Sequence, residues 1–191
     1  MTTRRDFLKT MTMASAGLAL GTGDLLGAPI SVSQRKAAAD KVKIAYVGIG
    51  NRGEQIIGDF ARTGMVEVVA LCDVDMGAPH TQKVMNMYPK AKRFRDFRQM
   101  FDKAGNDFDA VAIATPDHSH FPITMLALAS GKHVYVEKPL ARTFYEAELL
   151  MQAALKRPNL VTQVGNQGHS EANYFQFKAW MDAGIIKDVT A

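Results

Sequence analysis

The stretch over residues 42–62 constrains the fold of this chain more than any other feature. It opens with the run Val-Lys-Ile-Ala-Tyr-Val, which predicts a buried strand. Gly48–Gly53 comes directly after it with the spacing GxGxxG, and a helical pattern continues from Glu54 to Arg62. A strand, a glycine-rich turn and a helix in this order predict a turn that holds the phosphates of a dinucleotide at the start of the helix.

Each glycine of this turn has its own structural reason. Gly48 permits the tight turn, Gly50 lets the backbone approach a pyrophosphate, and Gly53 lets the helix pack closely on the strand. The helix N-terminus adds free N–H groups and a partial positive charge that attract phosphate. Because tight turns alone also produce the GxGxxG spacing, the prediction depends on the strands and polar residues later in the chain.

Composition and charge exclude several classes of protein. The 191 residues suffice for one ordinary domain, or for one domain and part of another, and 47% hydrophobic residues are typical of a globular protein. Residues 1–39 hold five Lys or Arg against two Asp or Glu, so 18 basic and 17 acidic residues remain elsewhere. This balance argues against nucleic acid as a partner. Cys72 is the only cysteine, which excludes an intramolecular disulfide and a thiolate metal cluster.

The first 39 residues are predicted to be a twin-arginine signal peptide. Thr3–Lys9 contains the paired arginines, and a modestly apolar run rich in Ala, Gly and Thr extends over residues 10–23. This run is too short and too weakly apolar for a spanning helix, and no cysteine comes after it where a lipid anchor would attach. Cleavage is expected near Ala37–Ala39 or near Gly27–Ala28. The alternative interpretation is an amphipathic N-terminal helix.

Such a signal predicts export by the twin-arginine translocation machinery to the periplasm or an equivalent extracytoplasmic space. This route moves folded proteins, often with a cofactor already bound. Because nicotinamide cofactors are not freely supplied there, we expect a tightly bound cofactor. No stable membrane anchor is expected.

After the signal, predicted strands and helices alternate. Strands are expected at 42–47, 66–72, 92–94, 108–114, 133–136 and 160–164, and a further strand begins at 187–191. Helices are expected at 54–62, 79–88, 96–104, 122–130, 143–156 and 171–182. Strands separated by helices of about ten residues predict an α/β fold, a doubly wound parallel sheet with helices on both faces.

The second predicted strand ends at Asp73, twenty residues beyond Gly53. At this spacing a carboxylate binds both hydroxyls of an adenosine ribose, and it repels a 2′-phosphate, so Asp73 favours NAD over NADP. Asp75 is an alternative for this role, and a helix cap or turn former is the structural alternative for Asp73. Other polar clusters lie after later strands, at 115–120, 137–138 and 165–167. Ligands of parallel sheets bind at the carboxyl ends of the strands, so these clusters are expected to line one site.

Taken together, these segments resemble the Gfo/Idh/MocA oxidoreductases, the family of glucose–fructose oxidoreductase and inositol 2-dehydrogenase. The order and spacing of the segments match the family over nearly all of residues 42–191. They are VGIGNRG at 47–53, CDVD at 72–75, ATPDHSH at 114–120, GKHVYVEKPLA at 131–141 and QVGNQGH at 163–169. The third and fourth are far more specific to the family than the glycine turn. The exported, twin-arginine members resemble this chain most.

The resemblance implies a role for each matching residue. The pyrophosphate would be held by Gly48, Gly50, Asn51, Arg52 and Gly53, and the adenosine ribose by Asp73. The cofactor cleft and its nicotinamide end would be lined by Thr115, Pro116, His118, His120, Glu137, Asn166 and Gln167. Lys138 would lie nearest the chemistry, so Lys138 and His120 are the candidate catalytic residues.

These residue types suit hydride transfer from a sugar or polyol. A carbon releases hydride only as its hydroxyl loses a proton, so a base or proton relay must lie within hydrogen-bond reach. A lysine beside the oxygen also stabilises the developing negative charge. The alternative for Lys138 is a surface lysine in a loop between strand and helix.

The histidines also have structural alternatives. His118 and His120 could cap a helix start or lie in solvent, and His169 could face a substrate or belong to a loop. His133 opens a strand and is predicted to be structural, and His80 is predicted to be a surface residue. Nothing in the histidine spacing requires zinc, so no metal site is predicted.

Family members carry a second domain, a large open sheet that walls the substrate pocket and mediates oligomer contacts, and full-length relatives are expected to be homo-oligomers. The resemblance thus divides the chain into a signal peptide at 1–39, a dinucleotide-binding domain at 40–165 and the start of a truncated second domain at 166–191. We expect the dinucleotide half to expose apolar surface, to bind cofactor weakly by itself and to turn over little.

Three functions stay open from the sequence. The first is an NAD-dependent oxidoreductase acting on a sugar or polyol. The second is a glycosidase that uses NAD transiently, by oxidation, elimination and reduction without net redox change, since the exported NAD-dependent α-N-acetylgalactosaminidases are similar in this half. The third is a catalytically incomplete nucleotide-binding fragment.

Overall fold

The computed structural model describes residues 41–188. The predicted signal peptide and residues 189–191, in which most of the last predicted strand falls, lie outside the described residues. Within residues 41–188 the strands are β1 (Val42–Val47), β2 (Val66–Cys72), β3 (Lys92–Phe94), β4 (Ala110–Ile113), β5 (His133–Glu137) and β6 (Thr162–Gly165). The α-helices of the same range are α1 (Arg52–Arg62), α2 (Pro79–Met87), α3 (Phe97–Ala104), α4 (His120–Ala129), α5 (Phe144–Leu155) and α6 (Ala172–Asp182).

All six strands pair in parallel in the order β3-β2-β1-β4-β5-β6. The chain winds outward from β1 to β3, returns beside β1 and then winds outward in the other direction. This is the doubly wound order of a dinucleotide-binding fold, and it confirms the predicted α/β class. The strand order reverses between β1 and β4, and the crevice at that point is where such sheets bind ligands.

The central strands are short apolar runs because both of their faces are covered. Alternate residues of β1 enter two different buried clusters, with Ala45 and Val47 in one and Ile44 and Tyr46 in the other. The first cluster lies under α3, α4 and α5, and the second under α1 and α2. Parallel strands buried on both faces lose the alternation of polar and apolar residues, as these sequences do.

Two helices begin at the caps that the sequence predicts. The Asp96 carboxylate accepts a hydrogen bond from the Arg98 amide at 2.8 Å at the start of α3. At the start of α5 the Thr143 hydroxyl accepts from the Glu146 amide at 3.1 Å. The Glu146 carboxylate reaches back to the amide of Arg142, one residue before the amide that a standard capping box would use. These bonds satisfy amides that the first helical turn leaves unpaired.

Several predicted boundaries shift by one or two residues. Helix α1 begins at Arg52 rather than Glu54, because Asn51 adopts a positive φ of 46° and turns the chain into the helix two residues early. Helix α4 begins at His120 rather than Pro122, directly after a 3₁₀ turn over Asp117–Ser119. Strand β6 starts at Thr162 rather than Leu160 and includes Gly165.

The surface of α6 differs from that of the other helices. None of its residues is buried, and four of its aromatic side chains are more than 40% exposed: Tyr174, Phe175, Phe177 and Trp180. Exposed apolar surface is what the sequence predicts for this chain, and contiguous patches of this kind are typical of interfaces. Within residues 41–188, no helix has both the length and the apolar character needed to cross a membrane.

Cys72 lies at the end of β2 and is 2% exposed. Burial raises the pKa of its thiol to about 12, and the nearby carboxylates of Asp73 and Asp96 add to this effect. The thiol therefore stays protonated at neutral pH, so it behaves as a packing group rather than a nucleophile.

We expect Gly53→Ala to lower the free energy of unfolding, because a Cβ there would lie 2.0 Å from the carbonyl oxygen of Gly48, which is backbone and cannot move aside. A loss of about 1–3 kcal/mol or more is typical of such overpacking. The matched control is Gly58→Ala in the same helix, where a Cβ meets nothing within 4 Å. Because Gly costs roughly 0.5–1 kcal/mol relative to Ala inside a helix, the control should gain stability. Urea unfolding followed by circular dichroism measures both, and equal stabilities would contradict the packing argument.

Candidate functional site

The glycine turn Gly48–Gly53 lies where the strand order reverses, at the carboxyl end of β1. Gly48 has a φ of 80°, and its amide donates to the carbonyl oxygen of Cys72 at 2.8 Å. A Cβ on Gly48 would lie 2.6 Å from the backbone carbonyl of Ala114, just beyond β4. The turn is therefore wedged between the ends of β2 and β4, and only glycine fits its first position.

The start of α1 is open toward this turn. Asn51 is the N-cap residue, but its side chain makes no capping hydrogen bond. The first turn of α1 therefore keeps amide groups and the positive end of the helix dipole available to an anion. Asn is one of the few residues that tolerate a positive φ, which accounts for its place here.

Asp73 holds the glycine turn from the end of β2. Its Oδ2 accepts from the amide of Ile49 at 3.0 Å, and its Oδ1 accepts from the amide of Asp75 at 3.0 Å. Each carboxylate oxygen can accept a further hydrogen bond, so the ribose role predicted for Asp73 is compatible with this geometry. Asp75, the alternative, is exposed.

A polar cluster occupies the carboxyl ends of β5 and β6, and Glu137 is its centre. The Glu137 side chain is 6% exposed. Its Oε1 accepts from Arg52 Nε at 3.2 Å, from the Tyr135 hydroxyl at 3.2 Å and from the amide nitrogen of Gln167. Three of the predicted site residues, Arg52, Glu137 and Gln167, are thus in direct contact, and the ion pair joins the start of α1 to the end of β5.

Tyr135 was not predicted as a member of this cluster, and Gly165, which lies in the predicted polar cluster at 165–167, was given no role of its own. The Tyr135 hydroxyl accepts from Gln167 Nε2 at 2.8 Å while it donates to Glu137. Burial, and then the charge of Glu137, raises the pKa of Tyr135, so its hydroxyl stays a donor. A Cβ on Gly165 would lie 2.5 Å from the Tyr135 oxygen and 2.8 Å from Glu137 Oε1. The cluster therefore forms only where position 165 lacks a side chain.

His120 is 1% exposed, and both of its ring nitrogens face backbone carbonyl oxygens. Nδ1 lies 2.6 Å from the oxygen of Pro139, and Nε2 lies 2.8 Å from the oxygen of Thr115. An imidazole with one N–H satisfies one of these acceptors, and an imidazolium satisfies both. The catalytic role of His120 stays a prediction. Its contacts favour a positioning role, because they join the loop after β4 to the loop after β5.

The side-chain hydroxyl of Thr115 is also relevant to the site. Among the described residues its hydroxyl oxygen is buried without a hydrogen-bond partner. Buried polar groups of native proteins are normally paired, so an unpaired hydroxyl at the crevice is suited to a ligand. Together with the open start of α1, this hydroxyl fits the dinucleotide that the glycine turn predicts.

The remaining predicted residues lie at the same edge of the sheet and are exposed. They are Pro116, His118, Lys138 and Asn166. Lys138 comes directly after the buried Glu137, and the 3₁₀ turn over Gln167–Ser170 comes directly after Asn166. Within the described part of the chain, no group of three His, Cys, Asp or Glu side chains could hold a metal ion.

Two other histidines have structural contacts. His133 Nδ1 accepts from the amide of Val161 at 2.9 Å and so links β5 to the segment before β6, in line with its predicted structural role. The exposed ring of His169 lies 5.1 Å from the ring of Tyr174. His80, predicted to be a surface residue, is exposed, but its ring lies against Gly50.

Comparison with known proteins places the same region in one family. The family model described as "Oxidoreductase family, NAD-binding Rossmann fold" (GFO_IDH_MocA) matches residues 42–165. Inositol 2-dehydrogenase of Salmonella typhimurium is 31% identical over 147 residues, which are 76% of this chain and 43% of that protein. A glycosyl hydrolase family 109 protein of Shewanella pealeana is 31% identical over 167 residues, which are 79% of this chain and 36% of that protein.

Among solved structures, scyllo-inositol dehydrogenase of Lactobacillus casei with bound NAD(H) and scyllo-inositol is similar, with a TM-score of 0.66 and 29% identity. The similarity covers 78% of this chain and 43% of that one. This chain thus spans less than half the length of the relatives that it matches. The matched family model covers the glycine turn, Asp73 and the Glu137 cluster as far as Gly165, and the chain belongs to the Gfo/Idh/MocA family of oxidoreductases.

Proposed function

We propose that this chain is the cofactor-binding part of an NAD-dependent oxidoreductase that moves hydride between the nicotinamide and a hydroxyl-bearing carbon of a sugar or polyol. One observation carries the proposal. The glycine turn, Asp73 and the Glu137 cluster converge at the carboxyl edge of the sheet, where the strand order reverses. Relatives named as inositol dehydrogenases support the substrate class.

The residues along this edge are suited to bind different parts of the cofactor. The open start of α1 suits the pyrophosphate. Asp73 retains acceptor capacity for the adenosine ribose, and the unpaired Thr115 hydroxyl can bond within the crevice. Three donors on Oε1 hold the Glu137 side chain in place. In that position its carboxylate is suited to accept a hydrogen bond from the nicotinamide ribose or amide. When bound, NAD supplies the hydride acceptor or donor.

Lys138 is our candidate for the proton step. It is exposed and comes directly after the fixed Glu137, so its side-chain nitrogen can reach a substrate placed over the crevice. In this role the neutral amine of Lys138 takes the proton of the substrate hydroxyl, or relays it, and the ammonium so formed stabilises the charge that develops on that oxygen. His120 contributes by holding the carbonyl of Pro139, the residue after Lys138.

The relatives named as glycosyl hydrolase family 109 proteins favour a second candidate function. In a glycosidase of this type the same binding edge would serve transient oxidation, elimination of the aglycone and reduction, without net redox change. An aryl glycoside separates the two functions. Release of the aryl group without accumulation of NADH supports the glycosidase, and net NADH formation with a free sugar or polyol supports the oxidoreductase.

We also infer that the protein is exported through the twin-arginine route with its cofactor bound. The paired Arg4 and Arg5, which precede a short apolar run, support this.

NAD should bind to the purified chain more tightly than NADP, because the Asp73 carboxylate at the ribose repels a 2′-phosphate. We expect a difference of about tenfold or more, which corresponds to roughly 1.4 kcal/mol. Asp73→Asn should reduce this difference by weakening NAD binding and removing the repulsion. Isothermal titration calorimetry with both nucleotides measures it. Equal affinities of the wild type for NAD and NADP would contradict the ribose role of Asp73.

Although we expect this chain to turn over little by itself, Lys138→Ala should reduce the turnover of a sugar or polyol substrate that remains by roughly 10²–10⁴, the usual contribution of a positioned acid or base. The dissociation constant for NAD should change little, because Lys138 is exposed and lies beside the Glu137 cluster rather than in it. Lys90→Ala, at an exposed lysine in the segment between α2 and β3, is the matched control. Turnover is measured as NADH absorbance. A variant that keeps wild-type turnover would remove Lys138 from the reaction.

For export, replacing Arg4 and Arg5 together by lysine should retain the protein in the cytoplasm. Cell fractionation and immunoblotting of the full chain measure its distribution. Arg35→Lys, which lies outside the paired motif, is the control and should be exported normally. Equal export of all three proteins would show that another route is used.

A further inference from the structure

His80, the second residue of α2, lies directly on the bare face of Gly50 in the glycine turn. A Cβ built on Gly50 would lie 2.2 Å from His80 Cδ2 and 3.0 Å from His80 Nε2. The imidazole therefore covers the side of Gly50 on which a side chain is absent. In this type of turn the second glycine is bare so that the pyrophosphate can approach the backbone. The His80 ring, with Cδ2 nearest and Nε2 next, therefore lies beside the backbone that the pyrophosphate is expected to approach.

The start of α2 is held firmly in this position. Thr81 is fully buried, and its hydroxyl lies 2.8 Å from the carbonyl oxygen of Asp75, to which it can donate. Lys83, one helical turn after His80, forms an ion pair with Glu54 in the first turn of α1. These contacts bind α2 both to the loop after β2 and to the helix after the glycine turn. The position of His80 over Gly50 is therefore a consequence of how the two helices are joined.

The ring itself is available to a ligand. His80 is exposed, and no hydrogen bond within residues 41–188 engages either of its ring nitrogens. Because the contact with Gly50 is made by the end of a flexible side chain, rotation of the ring makes room for an anion at little cost. After that rotation an N–H of the ring can donate to the anion, and hydrogen bonds to phosphate are among the stronger ones in proteins.

We propose that His80 is a further cofactor-binding residue, which donates a hydrogen bond to the pyrophosphate of the dinucleotide from the first turn of α2. The inference rests on the proposed function, because it needs a dinucleotide in the crevice. It adds a contact from outside the glycine turn and makes α2 part of the phosphate site.

The test compares ligands with and without phosphate on the full chain. The ligands are NAD, ADP-ribose and adenosine, and the variants are His80→Ala, His80→Gln and the exposed Asn86→Ala on the same helix as control. For His80→Ala we expect the dissociation constants of NAD and ADP-ribose to rise about tenfold, as for one hydrogen bond to a charged group. Adenosine binding should not change. His80→Gln, which keeps an N–H donor, should recover most of the affinity, and Asn86→Ala should behave as the wild type.

A second measurement is independent of affinity. The Cε1 proton resonance of His80, assigned by its loss in His80→Ala, should shift when ADP-ribose is added and stay in place with adenosine. If the wild type binds NAD but His80→Ala binds it equally well or more tightly, the ring is a bystander or an obstruction and the inference is overturned. An equal loss of adenosine affinity overturns it as well. If the wild type binds none of the ligands, the proposed function fails and this inference fails with it.

Discussion

The close backbone approach at Gly48–Gly53 is the constraint on which the rest of the site depends. The carbonyl of Gly48 occupies the space that a side chain at Gly53 would need, and the backbone of Ala114 occupies the space beside Gly48. These contacts set the angle at which α1 leaves the sheet. They therefore also decide where Arg52, the first residue of α1, can reach. The ion pair with Glu137, which spans 85 residues of sequence, is a consequence of that angle.

Polar contacts then connect the strand ends to this turn. Asp73 bonds the turn from β2, and Arg52 connects it with β5. Each of these side chains is anchored by protein groups and keeps capacity for a ligand, which is how preorganised sites avoid the cost of ordering side chains during binding. The same carboxylates hold the loops in place, and each keeps oxygen lone pairs for further hydrogen bonds.

The sequence was sufficient to predict the fold and the edge of the sheet at which the candidate site lies. Apolar runs between turn residues predicted the strands other than β3, whose residues are Lys-Arg-Phe. Polar residues at the strand ends placed Asp73 and Glu137 at one edge, because in a parallel sheet those ends share an edge. The contacts made by Tyr135 and Gly165 could not be predicted. An aromatic residue in a strand resembles any core position, and a glycine after a strand resembles any loop glycine. Their roles depend on the packing of neighbouring strands, which a single sequence does not contain.

The placement of His120 has a mechanical consequence. The ring of His120 lies within hydrogen-bond distance of the carbonyl oxygens of Thr115 and Pro139, so this buried side chain links the loops after β4 and β5. Two loops joined in this way move as one body. The loops after β4 and β5 therefore present one connected wall of the crevice rather than two independent segments.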